Sequence, residues 1–85
     1  MGKYRIAIKK SAAKELHSLP NRDLNKIIEK IQDLSNNPRP PGCIKLSDKE
    51  RYRIRVGNYR ILYSIEDDIL IVYVVKIGHR KDIYG

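Results

Sequence analysis

Tyr52-Arg53-Ile54-Arg55-Val56-Gly57-Asn58-Tyr59-Arg60-Ile61-Leu62-Tyr63 is two runs of alternating character joined by a turn pair. Tyr52, Ile54 and Val56 alternate with Arg53 and Arg55, and Tyr59, Ile61 and Tyr63 alternate with Arg60 and Leu62. Alternation of period two marks a half-buried strand. Gly-Asn between two such runs is a two-residue hairpin turn. The turn sets the register: Val56 opposite Tyr59, Arg55 opposite Arg60, Ile54 opposite Ile61 and Arg53 opposite Leu62. One face of the hairpin is apolar and belongs on a core. The other presents Arg53, Arg55 and Arg60 together. Like charges directly across a ladder repel. Snorkelling of the long side chains relieves part of that repulsion, and a bound anion removes it. The opposed Arg55–Arg60 pair is the specific feature here, and it points to an anion site.

Outward from the hairpin, Glu66-Asp67-Asp68 reads as a polar turn, and Ile69 to Ile77 as a central strand, apolar on both faces and ended by Gly78. Toward the N-terminus, Tyr4, Ile6 and Ile8 alternate with polar or small residues as a first strand. Ser11 stands where an N-cap would, before a short helix over Ala12 to Ser18 that Pro20 breaks. Asn21 caps a longer helix with Leu24, Ile27, Ile28, Ile31 and Leu34 on one stripe. Asn36 and Asn37 end it, and Pro38-Arg39-Pro40-Pro41-Gly42 is a stiff loop. A short extra strand is expected near Ile44 to Leu46. The order is β-α-α-β-β-β. It implies an α+β fold, an antiparallel sheet with two N-terminal helices packed on one face.

The 85 residues suit a single domain, 1–85. Lys and Arg number 18 against 10 Asp and Glu, a net charge of +8 shared by both halves, so the charge belongs to the folded body and favours polyanionic partners. No apolar run approaches a membrane span of ~18 residues, and no secretory signal pattern opens the chain, which reads as cytoplasmic. One cysteine, Cys43, and two separated histidines supply neither a disulfide framework nor a metal set, so no cofactor is expected.

The last strand carries the tail toward the hairpin turn. Tyr59 is expected to pair near Val75 or Lys76, which leaves Gly78 to Arg80 beside Gly57-Asn58; a one-residue slip would move Lys76 between faces. His79, Arg80 and Tyr84 thereby join Arg55 and Arg60 as candidates. Arginine holds phosphate and stabilises developing charge. Imidazole moves protons near neutral pH, and a tyrosine ring can stack on a base. His79 read alone is a surface histidine, Tyr84 serves equally as a tail aromatic packed on the sheet, and His17 lies apart from the cluster.

The stretch Tyr52 to Tyr63, followed by Val75-Lys76-Ile77-Gly78-His79-Arg80-Lys81-Asp82-Ile83-Tyr84, resembles the RelE/ParE toxin superfamily, on its RelE branch. Tyr4-Arg5-Ile6, the helix start Ala12 to Leu16, Leu19-Pro20 and Asn37-Pro38-Arg39 fit it too. The resemblance implies a toxin of a type II toxin–antitoxin pair. Such toxins enter the ribosomal A site and cut mRNA by attack of a 2′-OH on the adjacent phosphate, without metal. By motif, Arg53, Arg55, Arg60, Arg80 and Tyr84 take the places of the family's functional residues. The type member carries lysines at the places of Arg53 and Arg55, and arginine is the poorer proton acceptor. His79, a ribosomal group or an RNA group is then left to move the proton. The implied partners are mRNA on the ribosome and a cognate acidic antitoxin, with no membrane. Two other readings share these features: a ParE-like gyrase poison, and a non-catalytic nucleic-acid-binding or interaction module on the same scaffold.

Overall fold

A computed structural model of the chain describes residues 3–46 and 50–79. Its elements are β1 (Arg5–Ile8), α1 (Lys10–His17), α2 (Asn21–Asn36), β2 (Ile44–Lys45), β3 (Arg51–Val56), β4 (Tyr59–Glu66) and β5 (Ile71–His79). They form one sheet in the order β1-β5-β4-β3-β2. Strands β2 to β5 make an antiparallel meander, whereas β1 lies parallel to β5, with Ile6 opposite Val72 and Ile8 opposite Val74. The fold class is as expected from the sequence, but the sheet is mixed. The two helices carry the chain from β1 across the sheet to β2 at the opposite edge, and the meander brings it back to pair β5 with β1.

Both helices start without a side-chain cap. Lys9, not Ser11, precedes α1, because its N–H is already committed to the sheet, donating to the Val74 carbonyl at 2.8 Å. Helix α1 therefore leaves β1 at once, and Ser11 falls inside its first turn. Pro20, not Asn21, is the N-cap of α2; its carbonyl accepts from Leu24 N–H at 2.9 Å. A proline at this point loses no helical hydrogen bond, since the first N–H groups of a helix have no intrahelical partner.

The stripe of α2 packs as its spacing demands: Ile27, Ile31 and Leu34 are buried against Tyr52, Ile54, Ile61, Tyr63 and Val74 of the sheet, while Ile28 at the stripe's margin stays exposed. Tyr63, fully buried, donates its hydroxyl to the Pro38 carbonyl at 2.7 Å, so a polar group in the core stays satisfied. Cys43 is half-buried and packs against the same core. Among the described residues no helix is long and apolar enough to cross a membrane.

The β3–β4 register agrees residue for residue with the two-residue turn: Val56 faces Tyr59, Arg55 faces Arg60, Ile54 faces Ile61 and Arg53 faces Leu62. Gly57 has φ +58°, the left-handed region that glycine enters without strain. The β4–β5 register differs from the expected one. Ile69 and Leu70 lie exposed in the turn, and β5 starts at Ile71, opposite Glu66. A bulge between Leu62 and Tyr63 then shifts the ladder again. Tyr59 therefore meets His79 rather than Val75 or Lys76, Arg60 meets Gly78, and the strand runs one residue past Gly78.

At the end of the sheet away from Gly57, Arg39 clamps the proline loop. Its Nη1 and Nη2 bond the Asp67 carboxylate at 3.3 and 2.9 Å, Nη2 also reaches Glu50 at 3.0 Å, and Nε donates to the Tyr52 hydroxyl at 3.0 Å. Tyr4 donates to Asp67 at 2.7 Å and Tyr52 to Glu50 at 2.8 Å. Hydrogen bonds from Arg39 and then Tyr4 hold the Asp67 carboxyl below its ordinary range. Those from Tyr52, Arg39 and Lys45 do the same for Glu50.

Candidate functional site

Residues paired across a ladder share a face of the sheet. The face turned away from the helices carries two rows at the Gly57 end: Arg55–Arg60–Gly78, and next to it Arg53–Leu62–Lys76. Arg53, Arg55 and Arg60 thus stand where the hairpin reading put them. The bulge at Leu62/Tyr63 brings Lys76 onto the same face, a position that the uncertain register had left open. Lys76 Nζ lies 3.8 Å from a Glu15 carboxylate oxygen, and the other oxygen accepts from the Ile77 N–H at 3.1 Å.

The three arginines occupy different surroundings. Arg60 is 8% exposed although it faces away from the core. Gly78 lies directly opposite it in the ladder. A charge withdrawn from bulk water interacts with an anion through a lower effective dielectric than a surface charge does. Arg53 is half-buried. Arg55 is exposed and leans round the edge of β3, its Nε donating to the Gly57 carbonyl at 3.4 Å. That edge is open because β2 pairs only with Arg53 and Tyr52. Arg55 there shares a groove of about 300 Å³ with Lys26, Glu29, Lys30 and Asp33 of α2.

His79 reaches the same end of the sheet but not the same face. Tyr59 faces the helices, so its ladder partner does too. The His79 ring meets the Tyr59 ring edge-on, with centroids 5.7 Å apart. It borders a cleft of about 180 Å³ with Asp23, Lys26 and the Gly57–Asn58 turn. The expected grouping of His79 with the arginines is corrected by this parity. Tyr59 donates its hydroxyl to Asp23 at 3.0 Å, and that bond holds the phenol above its usual pKa. Arg80 and Tyr84 lie outside the described residues.

Lys76, Lys26 and Tyr59 were not singled out as site residues by sequence reasoning. For Lys76 the signal was absent, because nothing in the residue types announces a bulge. Tyr59 and Lys26 were legible only as a core tyrosine and a solvated helix lysine. Among the described residues no three His, Cys, Asp or Glu side chains gather as a metal site. The face turned away from the helices instead offers fixed cations. It can bind a phosphodiester and offset the charge that builds on it.

The chain matches the ParE toxin family of type II toxin–antitoxin systems, parDE, over residues 6–84. It is 34% identical to toxin RelG of Mycobacterium tuberculosis over 95% of both chains. Its fold superposes on RelE of the archaeal RelE–RelB complex from Pyrococcus horikoshii with TM-score 0.82 and 27% identity, covering 94% of this chain and 98% of that one. It superposes on a chain of the RelBE2 toxin–antitoxin complex of M. tuberculosis with TM-score 0.80 and 31% identity, over 92% and 99%. The family match carries the ParE name, while the relatives that align end to end are RelE-type toxins. The chain therefore belongs to the RelE/ParE superfamily of type II toxins, on its RelE-like branch.

Proposed function

We propose that this toxin is a ribosome-dependent mRNA endoribonuclease working in the A site. The observation that carries the reading is the sheet face turned away from the helices, where Arg53, Arg55, Arg60 and Lys76 share two adjacent rows. In the reaction the ribose 2′-oxygen bonds to the neighbouring phosphorus while the P–O5′ bond breaks. The 2′-proton leaves to an acceptor and the 5′-oxygen gains a proton. The products are a 2′,3′-cyclic phosphate and a 5′-hydroxyl. Arg60 and Arg53 hold the phosphate and offset the negative charge of the five-coordinate state, which takes the place of a metal ion. Arginine stays protonated, so the acceptor is a ribosomal or RNA group; His79 turns its ring to the helix side.

The partner is an acidic antitoxin that neutralises the basic body, as RelB accompanies RelE in the solved archaeal complex. An antitoxin partner and a ribosome-bound substrate fit a toxin that works in the cytoplasm. Association with the antitoxin should weaken as salt rises; titration calorimetry giving a salt-independent affinity would remove the electrostatic account.

The test is primer extension on mRNA held in programmed ribosomes. Cuts should appear with wild-type protein and ribosomes together, and not with naked mRNA. The ParE name of the family match favours a second reading, a gyrase poison. Folded protein that leaves ribosome-bound mRNA intact but traps gyrase on cleaved DNA would establish that one instead.

A further inference from the structure

We propose that the cleft on the helix side of the Gly57–Asn58 turn is a nucleobase subsite, which takes a base flanking the phosphate held on the arginine face and reads it through Asp23. The proposal rests on the RNA reading above and adds a second contact point to it.

The cleft neighbours the groove that Arg55 enters, since Lys26 and Val56 border both along the edge of β3. Between the faces stands the turn itself. Among the described residues, its chain neighbours apart, no atom lies within 4 Å of where a Gly57 Cβ would stand, so an RNA strand can cross there close to the backbone.

Its contents suit a base better than a phosphate. Tyr59 and His79 stand at 76° to each other, two ring surfaces forming a corner. Bases stack on such rings with little regard to sequence. Asp23 uses Oδ2 to accept from Tyr59 at 3.0 Å, which leaves Oδ1 for a ligand. A carboxylate only accepts, so it repels phosphate and selects groups that bear N–H. Guanine offers two adjacent N–H donors on its Watson–Crick edge. Uracil offers one, set between two carbonyl oxygens that the carboxylate opposes. Lys26 at the rim and Arg55 beyond it are placed for the phosphate of the same nucleotide. The cleft's volume of about 180 Å³ leaves room for one ring system.

The experiment is a side-chain and amide NMR titration of the isotope-labelled toxin with 5′-GMP and with 5′-UMP, repeated on Asp23→Asn and Asp23→Ala. GMP should move the Tyr59 and His79 ring signals and bind at least about fivefold more tightly than UMP, the lower end of a base-discriminating contact. Both variants, with amide spectra that show an intact fold, should lose that preference and keep the shifts at Arg53 and Arg60. Shifts confined to the arginine face would overturn the subsite and leave the nuclease reading standing. Equal affinity for the two nucleotides, or a preference that persists in both variants, would overturn the role of Asp23. Absence of any shift on either face would count against nucleotide binding altogether, and the subsite would fall with it.

Discussion

Leu70 is the non-glycine residue with positive φ among the described residues, at +53°. A side chain in that region costs roughly 1–2 kcal/mol, and Leu70 recovers little by packing because it is 42% exposed. Asparagine tolerates the conformation better. Leu70→Asn should therefore raise stability by about 0.5–1 kcal/mol, read as a higher urea midpoint with unchanged slope; a lower midpoint would show that Leu70 has packing value we have not assigned. The same residue shows why part of the site was illegible. Ile69 and Leu70 carry strand-forming side chains, so the sequence runs them into β5, and only the turn geometry removes them. That displacement, with the bulge at Leu62, decides which residue meets Tyr59 and hence which face His79 takes. Arg60 was legible as a residue of the face turned away from the helices. Its burial was not, because the alternation of a strand tells which face a residue takes and not what lies over it.

Among the elements, the β3–β4 hairpin was the most legible. A two-residue turn admits one register, and the Gly57 conformation confirms the turn that the residue types announce. Helix α2 was legible in extent because a stripe of five apolar residues has no other use at that spacing. It braces the hairpin from behind through Ile27, which is fully buried and also borders the Gly57–Asn58 cleft. Ile27→Ala should cost about 2–5 kcal/mol of stability. Chemical denaturation is the measurement; a loss below about 1 kcal/mol would mean that the helix does not support the sheet as described. The direction of β1 was less legible, since no residue type distinguishes a parallel edge pairing from an antiparallel one over four residues.

At the scale of the whole molecule, the two ends of the sheet divide the labour. One end holds the cationic face; the other is closed by Arg39 on Asp67, Glu50 and Tyr52. This clamp was hidden in the sequence, because its members come from a loop, a strand entrance and a turn, and each reads as ordinary surface chemistry. Both carboxyls have folded-state pKa values below their ordinary ones. Their contribution is therefore present above the ordinary carboxylate range and is lost as pH falls through the lowered values. The thermal midpoint should drop as the solution is taken below about pH 4, and Arg39→Met should flatten that drop. A midpoint with the same acid dependence in both proteins would show that the clamp is not linked to folding. The central claim concerns the other end, where Arg53 and Arg60 are proposed to hold the phosphate. Single-turnover cleavage of mRNA on programmed ribosomes tests it most directly, comparing wild type, Arg53→Ala, Arg60→Ala and, as a control on the exposed end of α1, His17→Ala. Loss of Arg60 should slow cleavage by about 10²–10³-fold, loss of Arg53 should slow it in the same direction, and His17→Ala should cleave as wild type. Folded Arg53→Ala and Arg60→Ala proteins that cleave at the wild-type rate would contradict the account.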